Sequence, residues 1–211
     1  MFKVRIRFVW CMIFMTALLA RPCVSQASSP MDDLKAPIEQ VVGILRDPQY
    51  KNPNMRQQQR DRIAQITNQV FDYKIMSRLA LGFNWKSFSP QQQVEFVKVF
   101  GDLLNNTYIE KVQGEYKGDE TVQFLSQDMI ASGKAIVKTQ ILRKPTNIPV
   151  VYAMLQDGGK WRIYDVSIEG ISLIKNYRSQ FDQILEKSSP AQLIERVKKK
   201  SDIKTDLKTE K

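Results

Sequence analysis

Asp165 and Arg178 are the side chains whose types and placement first suggest chemistry. Asp165 lies in an alternating stretch, on the face of Trp161, Ile163 and Ser167, and Arg178 lies on the amphipathic segment that follows. A carboxylate and a guanidinium across such a junction can form a structural charge-assisted pair or hold the polar head of a ligand. The other carboxylates, among them Glu110, Glu115, Asp119, Glu120 and Glu169, show no spacing that sets a pair apart for acid–base work. Asp157-Gly158-Gly159 is not followed by a helix and so is no phosphate loop.

The chain has no histidine, and its two cysteines, Cys11 and Cys23, both fall near the N-terminus. Ser-His-Asp chemistry is therefore impossible, and Cys-His chemistry with it. Zinc, copper and haem sites of the usual kind lack their ligands. The sequence thus predicts a protein that is not an enzyme and carries no cofactor or metal.

Aromatic residues are the larger resource. Phe71, Tyr73, Phe83, Trp85, Phe88, Phe96, Phe100 and Tyr108 cluster in the part of the chain that reads as helical, and Tyr152, Trp161, Tyr164, Tyr177 and Phe181 in the part that reads as strands and the helix after them. Such a set can fill an ordinary core or leave an apolar cavity between layers. Periodicity alone does not separate the two.

The elements that would position these residues read clearly. Ser29-Pro30, Ser89-Pro90 and Ser189-Pro190 each place a capping serine before a proline at the first helical position. Gln92 and Gln192, three residues after their serines, complete capping boxes. Helices are predicted over 30–46, 55–71, 72–81 and 90–115. The last carries an apolar stripe of Val94, Val97, Phe100, Leu104, Tyr108 and Val112. Strands are predicted over 121–126, 134–143, 149–156 and 160–168, the last two joined as a hairpin by Asp157-Gly158-Gly159. In 160–168, strict alternation puts Arg162, Tyr164, Val166 and Ile168 on one face. Helices over 172–187 and 190–200 close the chain. The predicted fold is α+β: N-terminal helices, a four-stranded antiparallel twisted sheet, and C-terminal helices.

The ends bear on location. Lys3, Arg5 and Arg7 precede an uncharged apolar run of thirteen residues, 8–20, and Ser25-Gln26-Ala27 offers small residues for cleavage. That is the pattern of a secretory signal peptide over residues 1–27, and a membrane span would need roughly 20 apolar residues. Cys23 follows Ala20-Arg21-Pro22, a poor box for lipidation. Cleavage would remove both cysteines and the four basic residues Lys3, Arg5, Arg7 and Arg21, lowering the formal charge from +10 to +6. The remaining charge gathers in a Lys-rich tail over 201–211 and just before it, which reads as a solvated terminus. No nucleic-acid motif is present, and no nucleic-acid partner is expected.

Three blocks together carry a family resemblance. They are Phe71-Asp72-Tyr73 through Leu79-Ala80-Leu81-Gly82 with Trp85; Ser89-Pro90-Gln91-Gln92 through Phe96, Phe100, Leu104 and Tyr108; and Trp161 to Phe181, with Tyr164-Asp165-Val166 and Glu169-Gly170-Ile171-Ser172 at its centre. In their order and spacing the chain resembles the MlaC, or toluene-tolerance, family, the soluble periplasmic component of the Mla lipid-transport pathway. The resemblance implies a non-enzymatic periplasmic carrier that shuttles phospholipid between membranes and maintains the outer membrane. Its domain would span 28–200 and hold acyl chains in an apolar cavity enclosed by sheet and helices. Implied partners are phospholipid, an inner-membrane ABC transporter with its lipid-binding ring, and an outer-membrane lipoprotein–porin complex. The cavity wall would comprise Phe100, Tyr108, Val137, Ile141, Tyr152, Met154, Tyr164, Val166 and Ile174. A carrier of hopanoid or other terpenoid lipid, or an adaptor that binds only proteins, remains an alternative.

Overall fold

The computed structural model describes residues 28–202. Residues 1–27, which the sequence predicts to be a signal peptide, both cysteines, and all but the first two residues of the predicted tail over 201–211 lie outside the described residues.

Local chemistry sets the helix ends. In α1 (Pro30–Arg46), Ser29 Oγ accepts from the Asp32 amide at 3.1 Å, and Asp32 and Asp33 sit in the first turn, where the helix dipole favours negative charge. Asp47-Pro48 stops the helix, since a residue before proline resists the α region. α2 covers Arg56–Val70. α3 (Tyr73–Leu81) is capped by Asp72, whose Oδ1 accepts from the Ile75 amide at 2.8 Å.

Gly82 ends α3 at φ 54°, ψ −125°, a conformation that essentially only glycine adopts. A 3₁₀ turn, Gly82–Ser87, then leads to α4 (Pro90–Glu115). The capping box predicted for α4 is present: Ser89 Oγ accepts from the Gln92 amide, and Gln92 Oε1 accepts from the Ser89 amide. The same reciprocal pair opens α6 (Pro190–Asp202) through Ser189 and Gln192. α5, before it, covers Leu173–Leu185.

The strands form an antiparallel meander in the order β1-β2-β3-β4-β5. They are β1 (Thr121–Ala131), β2 (Lys134–Leu142), β3 (Ile148–Asp157), β4 (Lys160–Ile168) and β5 (Ile171–Ser172). Gly158 and Gly159, both at positive φ, make the two-residue β3–β4 turn. The sheet has five strands where the sequence predicts four. The fifth is a two-residue edge, Ile171 and Ser172, folded back on Ile168 and Ser167 by the turn at Gly170, and it is too short to show a period of its own. β1 also runs past its predicted end. Register shifts at Leu125 and Ile130 break the inside–outside alternation without breaking the ladder.

Two cores result. One is helical and aromatic, with Phe96 and Phe100 of α4 and Tyr177 and Phe181 of α5 linked by ring contacts among α3, α4, α5 and α6. The other packs Leu34 of α1 on Ala135, Val137, Val150, Met154, Trp161, Ile163 and Val166 of the sheet. The start of α4 corrects the predicted stripe: Val94 is 74% exposed and Phe96 is fully buried in its stead.

Candidate functional site: apolar recesses between sheet and helices

The middle of α1 does not close on the sheet. Its two ends are tied down. Near the start, Trp161 Nε1 donates to the Ser28 carbonyl at 3.0 Å, and the Trp161 amide donates to Asp33 Oδ2 at 2.8 Å. At the other end Arg46 donates to the Tyr116 hydroxyl and the Glu120 carbonyl. Between these ties, Leu34, Ile38, Val41, Val42 and Leu45 face a recess of about 270 Å³, with Val70 and Phe71 behind them and Val122, Ile141, Ile148, Tyr152 and Ile163 of the sheet opposite.

A second recess, of about 240 Å³, lies at the seam between the two cores. Met76, Leu104, Tyr108 and Ile109 form its helical side; Val150, Tyr152, Val166 and Ile168 form its sheet side. The two recesses share Val41, Thr67, Phe71, Val112, Ile141 and Tyr152, so they adjoin along one wall.

Polar groups in these walls are few, and Thr67, Tyr73 and Asn105 among them are bonded to one another. The Thr67 and Tyr73 hydroxyls both donate to Asn105 Oδ1 at 2.8 Å. The Tyr108 hydroxyl lies near Tyr177 and that of Tyr152 near Thr139, whose own hydroxyl donates to the Val150 carbonyl at 3.3 Å. Burial pushes the phenols of Tyr73 and Tyr152 up to about 12, and Tyr108 is raised as well, so all three are neutral at ordinary pH. Both recesses thus offer hydrocarbon surface with few free donors or acceptors.

Charge enters only at one end of the first recess, where Glu115, Glu120 and Arg143 complete its lining. Arg143 Nη1 stands 3.2 Å from Glu115 Oε2. Burial alone would raise the Glu120 carboxyl. The Lys117, Glu120 and Gly118 amides and the Arg143 charge outweigh it and hold the group below its usual value. Among the described residues no group of acidic side chains is arranged to hold a metal ion.

Asp165 and Arg178 do not pair with each other. Asp165 accepts from Ser172 Oγ at 2.6 Å and from the Ile174 amide at 3.2 Å, which fastens β4 to the start of α5. Arg178 donates through Nε, at 2.7 Å, and through Nη2 to the Leu79 carbonyl, capping the end of α3. Asp165 is occupied by the Ser172 hydroxyl and the Ile174 amide across the strand-to-helix turn, and Arg178 by the Leu79 carbonyl of α3.

Of the nine residues assigned to a cavity wall, Tyr108, Ile141, Tyr152 and Val166 line a recess. Phe100 sits about 12 Å up α4 from Tyr108, by the helical rise, inside the aromatic cluster. Ile174 belongs to the same cluster. Val137 and Met154 face inward beside Tyr152 but are completely covered. Tyr164 leaves the wall for a specific reason. Asp165 is opposite Ala153 while Ile163 is opposite Met154, so Tyr164 is an extra residue in β4. This bulge moves the inward set from the predicted alternation to Trp161, Ile163, Val166 and Ile168. The faces of α1 and α2, with Phe71 between α2 and α3, are parts of the wall absent from the nine predicted residues; α1 contributes the longest stretch. Its stripe is legible, but a stripe does not tell whether it meets side chains or space.

This arrangement defines a class: a small α+β protein in which a meandering antiparallel sheet and its helices leave adjoining apolar recesses. Residues 35–199 match the model of the MlaC protein family, and the chain belongs to that family. It is 25% identical over 119 residues to the intermembrane phospholipid transport system binding protein MlaC of Haemophilus influenzae, a match covering 54% of this chain and 55% of that protein. The chain therefore spans about half the length of the curated relative it matches. A solved structure of a phospholipid-binding protein from Ralstonia solanacearum, in complex with a phospholipid, matches with a TM-score of 0.70 at 19% identity, covering 82% of this chain and 97% of that one. Likeness at that identity is likeness of fold. Among the described residues no helix is long and apolar enough to cross a membrane.

Proposed function

We propose that this protein is a non-enzymatic carrier that binds the acyl chains of phospholipid and ferries the lipid through the periplasm. The observation that carries the reading is the common wall of the two recesses, which gives adjoining apolar slots between one sheet and its helices. Each buried CH₂ contributes about 0.8 kcal/mol, so paired acyl chains would bind tightly with little help from the head group. Family membership supports the same reading, as do the phospholipid transport named for the Haemophilus relative and the phospholipid held by the Ralstonia protein. Tyr108, Ile141, Tyr152 and Val166 would touch the chains, together with the apolar face of α1.

The export pattern of residues 1–27 supports a periplasmic location, with the lipid-binding domain over 28–200 and the charged tail beyond. Within that setting the carrier would exchange lipid with an inner-membrane ABC transporter and its lipid-binding ring, and with an outer-membrane lipoprotein–porin complex, helping to keep the outer membrane asymmetric. Native mass spectrometry of the purified protein, followed by lipid extraction, tests the core of this proposal. Co-purified diacyl phospholipid is the expected result. A protein that emerges free of lipid, and takes none up from phospholipid vesicles, would refute it.

A further inference from the structure

The charged end of the first recess suggests which head group is preferred, an inference that rests on the lipid-carrier reading above. Three charged side chains line that recess, and they come from three different elements. Glu115 is the last residue of α4, Glu120 precedes β1, and Arg143 follows β2.

Their freedom differs. The two oxygens of Glu120 accept from the Lys117 and Gly118 amides at 3.0–3.1 Å, so this carboxylate is fixed by backbone. Glu115 is held only by side chains: Arg143 at 3.2 Å and, more loosely, Lys111 at 3.9 Å. Glu115 is 47% exposed and Arg143 34%, and ion pairs this open to water are weak. A guanidinium meets a phosphate through two parallel hydrogen bonds, a stronger arrangement than its single contact to Glu115.

A phosphate arriving at the end of the slot can therefore take Arg143 from Glu115. The displaced carboxylate then keeps only the looser, exposed contact to Lys111 beside an incoming anion, and a second cation at that point is favoured. An ethanolamine head brings a primary ammonium with three N–H donors; a glycerol head brings none. We infer that the first recess prefers zwitterionic, ethanolamine-type phospholipid over anionic, glycerol-type phospholipid, with the phosphate on Arg143 and the ammonium on Glu115. Glu120 stays on its amides.

The test loads the purified protein from vesicles of equal parts phosphatidylethanolamine and phosphatidylglycerol and measures both the total lipid bound and its composition. Enrichment of the ethanolamine lipid by roughly two- to fivefold is expected, the ratio that a partly exposed ion pair supports. Glu115→Gln should bring the composition back to that of the vesicles, and Glu115→Lys should turn it toward the anionic lipid. Lipid bound by the wild type in the vesicle ratio overturns the head-group preference and leaves the carrier reading intact. Enrichment that survives Glu115→Gln overturns the role given to Glu115. Failure to bind either lipid overturns both readings.

Discussion

Tyr152 of β3 and Val166 of β4 are directly opposite in the ladder, and both side chains face the second recess. The next inward position on β4 is Ile163, because Tyr164 is taken up by the bulge. Neighbours in sequence thus differ sharply in what they can do to a bound chain. Val166→Trp should fill the recess and cut the lipid recovered per protein severalfold. The ring has space to enter, so the stability cost should stay within about 1–3 kcal/mol. Tyr164→Trp should leave the lipid content unchanged. Lipid extraction and urea unfolding of the two variants check both statements.

Asp165 and Arg178 should be energetically independent. Asp165→Ala removes the acceptor for the Ser172 hydroxyl and the Ile174 amide at the start of α5, a cap worth about 1–2 kcal/mol. Arg178→Ala removes the donor that satisfies the Leu79 carbonyl. The two share no partner, and a double-mutant cycle should give a coupling below about 0.5 kcal/mol. A coupling well above that would show that the charges interact directly.

Gly82→Ala should destabilise by about 1–3 kcal/mol. The backbone there has φ 54° with an extended ψ, and a Cβ would stand 3.3 Å from Arg178 Nε. The substitution strains the turn and presses on the guanidinium that caps α3. A lower urea midpoint with an unchanged m-value is the expected signature.

Buried phenols should make the protein sensitive to base. Tyr73 and Tyr152 are raised from 10.0 to about 12 in the folded chain, chiefly by burial. The unfolded chain therefore loses these protons first. Their contribution is complete below pH 10 and is lost as pH climbs toward 12, at up to about 1.4 kcal/mol per pH unit for each group. Tyr152→Phe should flatten this slope by one group while leaving the slope below pH 9 as it was. Stability measured from pH 8 to 12 decides it.

Much of the fold is legible in the residues because short-range chemistry sets it. Ser89 with Pro90 and Gln92, Asp47 before Pro48, and Gly158-Gly159 each determine a boundary through groups within a few positions of one another. The helices Pro30–Arg46 and Pro90–Glu115 and the strand Lys160–Ile168 follow from those signals. The site was legible only in part. Tyr108, Ile141, Tyr152 and Val166 follow from periodicity joined to the family resemblance. Phe100 and Ile174 carry equally good apolar signals, yet they meet Phe96, Tyr177 and Phe181 rather than space.

By itself the sequence determined the chemistry this protein can attempt. A chain without histidine, whose cysteines lie only near its start, leaves carboxylates, phenols and a large apolar surface to work with. It also determined where most helices and strands begin and end. Tertiary structure decided where that apolar surface would remain open. A bulge depends on which β3 residues stand opposite Ile163 and Asp165, leaving Tyr164 unpaired, and a recess depends on how α1 is held at Trp161 and Arg46 while its middle spans the gap. Those are relations between segments far apart in the chain, and no local period encodes them.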